Sequence, residues 1–385
     1  MFASEIADGF NYAYFGMMTH SMPKTIVVGM SGGVDSSVAA AMLLEQGHRV
    51  IGVTMKTYEF DEGGRAVANE ASCCGLGAVY DARMVASTLG IPHFVVDFRS
   101  EFERAVIQNF VDEYLKGRTP NPCVNCNREI KWGQLLRKAG ALGADFIATG
   151  HYAKVELDNE SRRYAVHRGR DLQKDQSYAL WGLTQDALSK TMFPLGHLTK
   201  PEVRALASRY DLRTADKQES YEICFVPDDR YDRFLKERVS GLEKELAGGD
   251  LVSDGVVVGK HTGYPFYTIG QRKGIGAHGK KMYVTDISRE SNRVTIGPDG
   301  DLLHDSLKAT GVNWMGRIRP DGPLQVTAKV RYKDEATLAT VHPQEDGSVS
   351  VVFDSPKRAI TPGQSVVWYE GDMLSGGGFI EKILQ

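Results

Sequence analysis

Residues 25–55, TIVVGMSGGVDSSVAAAMLLEQGHRVIGVTM, decide how the rest of the chain is read. TIVVGM (25–30) is a short apolar run with β-branched residues, which predicts a buried strand. Ser31-Gly32-Gly33-Val34-Asp35-Ser36 interrupts it as a glycine turn, and Val34, Val38, Ala41 and Met42 then recur at helical spacing. Gly47 ends that helix, and VIGVTM (50–55) is a second apolar strand. Two strands without polar alternation, joined through a helix, predict a βαβ unit of a parallel sheet.

The same alternation runs outward from there. Ala82, Val85, Ala86 and Leu89 mark a helix, IPHFVVDF (91–98) a strand, and Phe102, Val106, Phe110 and Tyr114 a longer helix. Ile130 to Ala141 reads as helix, DFIATG (145–150) as strand, and Thr199-x-x-Glu202 with Pro201 as a capping box opening a helix to Tyr210. The expectation is a doubly wound parallel-sheet α/β domain over residues 24–215, with ligands beyond the carboxyl ends of its strands. Near residue 215 the texture changes. Residues 216–284 predict a small central α+β domain with one helix near 231–246. From Tyr283 onward there are only short β-type runs (MYVTDI, RVTIG, QVTAKVRY, ATLATV, SVSVVF and SVVWYE), which predict a C-terminal antiparallel β-barrel over 285–385.

Composition narrows the class. The 385 residues are 42% hydrophobic, and 46 basic against 49 acidic side chains exclude an all-over basic nucleic-acid binder while leaving room for local basic patches. No apolar stretch reaches the roughly 18 residues of a membrane span. Five cysteines are too few for a disulfide framework, and their clustering suits a reducing compartment. Residues 1–23 hold no lysine or arginine, unlike a secretory or transit signal, so they read as an extension with Met22 as an alternative start, and a cytoplasmic location is expected.

The glycine turn between strand and helix points several N–H groups at one place, where the helix adds its positive end, so it suits an anion. It is not a Walker A loop, because no Gly-Lys-Ser/Thr follows. RTPNPCVNCNREIKW (118–132) is the second chemical signal. A Cys-x-x-Cys alone is half a zinc site, a redox pair or a lone nucleophile, and a zinc site here would need further ligands such as Cys73-Cys74 or His151. A helix starting near Arg128 would put Cys126 close to a positive dipole end, which favours a thiolate.

The SGGVDS loop resembles that of the ATP-pyrophosphatase (PP-loop) superfamily, and TPNP-x-x-x-CN-x-EIK resembles a segment of the tRNA-specific 2-thiouridylases. Further similar motifs follow in order: Gly150-His151-Tyr152, Lys174-Asp175-Gln176-Ser177-Tyr178, Ile223-Cys224-Phe225, Gly263, Tyr267 to Arg272, Arg331-Tyr332 and Pro362-Gly363-Gln364. The resemblance covers residues 24–385. It implies ATP contacts at Gly29, Met30, Ser31, Gly32, Gly33, Val34, Asp35, Ser36, Met55 and Gly150, with Mg²⁺. It implies Cys126 as nucleophile, Cys224 as persulfide carrier, and tRNA contacts at Asn121, Pro122, Cys123, His151, Lys174, Asp175, Gln176, Arg331, Tyr332 and Gln364. The implied reaction is ATP-dependent 2-thiolation of the wobble uridine in tRNAs for glutamate, lysine and glutamine. A cysteine desulfurase or sulfur-relay protein would supply sulfur, and a Cys126–Cys224 disulfide would form in turn.

One departure matters. The family commonly has aspartate where this chain has Cys123, which leaves the general base open and allows a [4Fe-4S] cluster on Cys123, Cys126 and Cys224 as an alternative. Cys73-Cys74 reads as small apolar residues in a βα connection. Two basic stretches suit RNA: Arg162 to Lys174, and Gly259 to Lys281 with Tyr264, Phe266 and Tyr267 interleaved to stack on bases. Two other classes share parts of the pattern: a PP-loop amide-forming ligase, which needs no paired thiols, and a non-catalytic RNA-binding module with a structural metal.

Overall fold

In the computed structural model, which describes residues 22–58, 76–218, 223–226 and 228–384, Thr25–Gly29 is strand β1 and Val34–Glu45 is helix α1. Strand β2 (Arg49–Lys56) returns parallel to β1, with Thr25 opposite Arg49 and Gly29 opposite Val53. There follow α2 (Leu76–Leu89), β3 (His93–Asp97), a helix over residues 99–115 (α3), a helix over residues 122–141 (α4), β4 (Phe146–Ala148), β5 (Ala153–Leu157), β6 (Tyr164–Arg168), β7 (Thr191–Met192) and α5 (Lys200–Arg209). The first sheet runs β3-β2-β1-β4-β7, every neighbour parallel.

Successive residues of β1 serve opposite faces, as the period of a strand demands. Ile26 and Val28 enter a core with Val38, Leu43, Val85 and Val203, whereas Val27 enters another with Phe102, Phe110, Ile130 and Leu135. Helices α1, α2 and α5 therefore cover one face and α3 and α4 the other, which is the expected doubly wound arrangement. The Thr199 N–H donates to the Glu202 carboxylate at 2.7 Å and caps α5 as expected.

Helix α4 departs from expectation. It begins at Pro122, not near Arg128, because proline is preset for the first helical position and lacks only an N–H that would have no helical partner there. Cys123 thus lies in the first turn and Cys126 in the second, where the end charge has largely faded. Over Cys126–Leu135 the hydrogen bonds span i→i+5, a π-helical segment.

The central region holds α6 (Tyr231–Arg238), α7 (Leu242–Leu246), β8 (Gly249–Ser253), β9 (Val256–His261), β10 (Tyr283–Ser288) and β11 (Arg293–Gly297). The single helix expected over 231–246 is two, since Gly241 turns left-handed at φ 81° between them. MYVTDI and RVTIG become β10 and β11, which join β8 and β9 in the order β10-β11-β8-β9 and not the barrel.

Strands β12 (Leu303–Trp314), β13 (Leu324–Lys329), β14 (Thr337–Pro343), β15 (Val349–Arg358), β16 (Ser365–Glu370) and β17 (Met373–Ile383) form an antiparallel barrel, closed by β12 pairing with both β15 and β17. The sequence pattern does not mark the two closing strands. In β17 the space that side chains would fill is taken by indole rings: a Cβ on Gly377 would lie 2.6 Å from Trp181. The β5–β6 hairpin extends this sheet, with Leu374 opposite Val166. Among the described residues no helix is long and apolar enough to cross a membrane.

Candidate functional site

The phosphate-type loop sits where β1 ends and α1 begins. Gly32 has φ +68°, and a Cβ on it would meet the Ala78 carbonyl oxygen at 2.2 Å, so the turn needs glycine. Gly33 caps α1 without any side-chain hydrogen bond, leaving the first-turn N–H groups directed at the space in front of the helix. Hydroxyls brace the turn: the Ser31 N–H donates to Ser36 Oγ at 3.1 Å, and Ser37 Oγ donates to the Gly33 carbonyl at 2.8 Å. Gly150, at the end of β4, packs against the loop so closely that a Cβ would lie 2.7 Å from the Asp35–Ser36 peptide. Gly29 and Met30 lead into the turn, and the Met30 N–H donates to Val53. Met55 is half-buried near the end of β2.

Several residues around the loop stand out only in three dimensions. Asp35 Oδ1 accepts from Lys200 Nζ at 2.6 Å and from the Tyr152 hydroxyl at 2.8 Å. Lys200 is buried, so its charge is balanced locally by that carboxylate. Lys217 donates to the Gly32 carbonyl at 3.0 Å and to Asp81 at 2.7 Å. Gln176 accepts the Tyr152 N–H at 3.0 Å and so steadies the same tyrosine. Sequence spacing holds no signal for Lys200 or Lys217, which stand 165 and 185 positions from their loop partners.

His151 follows Gly150 and is buried, its ring centroid 5.6 Å from Trp132 and 5.8 Å from Phe193. Nε2 lies 3.2 Å from Lys131 Nζ and Nδ1 lies 2.6 Å from Thr149 Oγ1. Burial, and then the Lys131 charge, hold its pKa well below the usual histidine value, so the ring is neutral.

The thiols meet a shared support. Phe225, beside Cys224, packs against Phe102 and Phe110 of α3 with ring centroids 5.7 and 5.1 Å apart. Asn125, beside Cys126, donates to Asn109 Oδ1 at 2.7 Å. Asn109 and Phe110 are neighbours, so one turn of α3 docks both thiol-bearing segments. Cys126 and Cys224 are half-buried against the same core, Cys123 is exposed, and no disulfide joins the three. Among the described residues no group of three His, Cys, Asp or Glu side chains is arranged to hold a metal ion. The three cysteines therefore do not stand together as an iron–sulfur ligand set, nor does the Cys-x-x-Cys form a zinc site with His151. Cys73-Cys74 and the polar segment 219–222 before Cys224 lie outside the described residues.

The residues expected to meet tRNA divide into groups. Asn121 Nδ2 lies 3.4 Å from both the Tyr178 hydroxyl and Ser365 Oγ, and Pro122 is buried. Gln364 donates to the Pro120 carbonyl at 2.7 Å, so the barrel clamps the start of α4. Gly363 makes that clamp possible, since a Cβ there would lie 2.6 Å from the Thr119 carbonyl. Tyr332 is exposed, with its ring 6.1 Å from that of Tyr178, and Arg331 donates to the Arg358 carbonyl at 3.1 Å. Asp175 is buried and accepts from Ser177 at 2.9 Å, whereas Lys174 is half-buried.

The basic stretches are partly consumed by the fold. Arg163 donates to the Trp314 carbonyl at 2.8 Å, Arg168 lies 4.1 Å over the Tyr369 ring, and Arg170 pairs with Glu202 at 3.1 Å. Tyr264, Phe266 and Tyr267 are buried in the core, so they are not the base-stacking surface expected of them: hydrophobic burial outcompetes exposure for three rings on one short turn. Arg272, Lys273, Lys280 and Lys281 remain exposed around a glycine-rich surface loop.

Similarity to known proteins agrees with this architecture. Profiles described as tRNA methyl transferase HUP domain, tRNA methyl transferase PRC-barrel domain and aminomethyltransferase beta-barrel domain match residues 24–228, 233–298 and 304–380. A tRNA-specific 2-thiouridylase MnmA from Salinibacter ruber is 51% identical over 361 residues, spanning 93% of this chain and 94% of its own. The proteins of that name from Heliobacterium modesticaldum and Acetivibrio thermocellus are 50% and 49% identical over 94% and 93% of this chain, and over 94% and 99% of their own lengths. On near-complete coverage at about half identity, and with all three domain profiles in order, the chain belongs to the tRNA-specific 2-thiouridylase family.

Proposed function

We propose that this protein places sulfur on C2 of the wobble uridine of tRNA, with ATP as the activating substrate. The observation that carries the reading is a junction: Gly150 backs the anion loop, and the next residue, His151, holds Lys131 of the helix that bears Cys126. On this reading a site for phosphate and a site for sulfur would adjoin one another.

The C2 carbonyl is a poor electrophile with a poor leaving group, and transfer of AMP to its oxygen corrects both faults. Ser31 to Ser36 would bind the pyrophosphate end of ATP through uncapped N–H groups and hydroxyls, a donor set that fits an anion. Mg²⁺ would offset the phosphate charge with Asp35 at hand. Sulfur would arrive on Cys224 as a persulfide from a cysteine desulfurase or a relay protein. Either the Cys126 thiolate attacks that persulfide and hydrosulfide departs to C2, or the terminal sulfur attacks C2 and Cys126 then displaces it from Cys224. Both routes expel AMP and end in a Cys126–Cys224 disulfide, which a dithiol reductant reopens. The shared docking of both thiol segments on α3 favours this over an amide-forming ligase, which needs no such pair.

The substrates on this reading are the tRNAs for glutamate, lysine and glutamine, and the setting is cytoplasmic. The exposed ring of Tyr332 and the basic loop at 272–281 supply surface for RNA. The test is reconstitution with ATP, Mg²⁺, unmodified tRNA, a desulfurase and cysteine, read as 2-thiouridine by nucleoside mass spectrometry. Thiouridine that depends on ATP and on both Cys126 and Cys224 supports the reading; ATP-dependent thiolation that survives loss of Cys224 sinks the persulfide route.

A further inference from the structure

We propose that Lys131 is the cation facing the α-phosphoryl group during adenylyl transfer, and that His151 is the residue that positions it; this rests on the adenylation reading above. The helix geometry is the first ground. Lys131 stands five residues after Cys126 inside the segment bonded i→i+5. Such bonding stacks residues i and i+5 on one face, so Lys131 shares the side of α4 that presents Cys126.

The second ground is the junction. Lys131 Nζ is 3.2 Å from His151 Nε2, and His151 adjoins Gly150, which lies against the Asp35–Ser36 peptide of the loop. The ammonium thus contacts the residue next to the glycine that backs the loop, and it sits on the helix that bears Cys126.

The third ground is the state of the imidazole. An ammonium only donates, so Nε2 accepts from it, and Nδ1 carries the ring proton and donates to Thr149 Oγ1 at 2.6 Å. With both nitrogens hydrogen-bonded and the aromatic rings of Trp132 and Phe193 alongside, the imidazole is held in a fixed orientation. What it presents is the lysine, which has two N–H groups left over.

In the step itself the uridine O2 forms a bond to the α-phosphorus while the bond from that phosphorus to the bridging oxygen breaks. The electron pair leaves with pyrophosphate, and the N3 proton passes to water. Negative charge on the α-phosphoryl oxygens is what a fixed ammonium at this position offsets.

The test is tRNA-dependent pyrophosphate release by the full chain carrying Lys131→Met, Lys131→Arg or His151→Gln. Losing one preorganised donor costs about 100- to 1000-fold in kcat, so Lys131→Met should fall by that much with KM for ATP and tRNA little changed. Lys131→Arg keeps the charge and should recover at least about tenfold of the loss, and His151→Gln, which keeps an acceptor but loosens it, should lose about tenfold in kcat. Thermal melting reports folding; if His151→Gln does not fold, the Lys131→Met and Lys131→Arg pair decides. Unchanged kcat in Lys131→Met, or a loss confined to KM, overturns the inference while leaving adenylation intact. Intact pyrophosphate release with a shifted pH profile of Cys126 alkylation also overturns it, since the lysine would then serve the thiol. If the wild-type chain releases no pyrophosphate with tRNA, the adenylation reading falls and takes this inference with it.

Discussion

The glycine turn comes from one uninterrupted stretch, residues 31–36, and is shaped by backbone: a left-handed glycine, a helix start with no side-chain cap and a neighbouring glycine pressed against it. The thiol pair comes from Cys126 and Cys224, 98 positions apart, and is shaped by side chains: an asparagine pair and a cluster of phenylalanines on α3. The contrast teaches where each half is fragile. The loop should fail when an atom is added, because no room exists for it. The thiol site should fail when packing is removed, because packing is what brings its parts to one place.

The largest effects should separate the halves outright. Cys126→Ser and Cys224→Ser should each lower thiolation by about 1000-fold or more, while tRNA-dependent pyrophosphate release stays near wild type. Loss of pyrophosphate release in either variant would mean that the two halves are not separable. Gly32→Ala attacks the other side. Its Cβ meets the Ala78 carbonyl at 2.2 Å and its φ is +68°, so pyrophosphate release should drop by about 100-fold. A Gly32→Ala enzyme with normal ATP turnover would break the claim that backbone shape governs the loop.

Phe225→Ala tests the packing side more gently. Removing a buried ring that meets Phe102, Phe110 and Phe234 should cost about 3 kcal/mol of stability. Thiolation should fall further than pyrophosphate release at a temperature where the variant is folded; equal losses would count against docking of the Cys224 segment on α3. Cys123→Ser should be milder still, keeping thiolation within about tenfold, because on the persulfide route this exposed thiol carries no sulfur. A dead Cys123→Ser enzyme, with iron in anaerobically purified protein, would favour a cluster instead.

The smallest expected effect is on acid stability. Burial lowers the folded pKa of His151, so the unfolded chain binds the extra proton first as pH falls. The stability this neutral ring contributes is present above the unfolded value of about 6.5 and is lost as pH drops below it. Melting temperatures measured from pH 7.5 to 5 should decline more steeply for the wild type than for His151→Gln, and parallel slopes would show that His151 protonates in the folded state.

How much could be read in advance differed by region for a physical reason. In the parallel sheet, β1, α1 and β2 are adjacent in sequence and in space, so hydrophobic period and glycine placement sufficed. The start of α4 is hidden in the sequence because two prolines look like a stiff approach, whereas Pro122 takes the first helical position. The closing barrel strands escaped because β12 is mixed in character and β17 contains Gly376, Gly377 and Gly378, residues that signal turns unless a ring occupies their space. Tyr264, Phe266 and Tyr267 looked like a stacking surface because period alone cannot tell a buried ring from an exposed one.

By itself the sequence determined the doubly wound sheet and the glycine turn between its first strand and helix, since each depends on neighbours a few positions away. The tertiary structure alone decided that Lys200 and Lys217 reach the loop, that His151 holds Lys131, and that the barrel grips Thr119 and Pro120 through Gly363 and Gln364. Those contacts join residues from 20 to more than 240 positions apart. Their partners are chosen by how helices and sheets pack, and packing has no local signature in the chain.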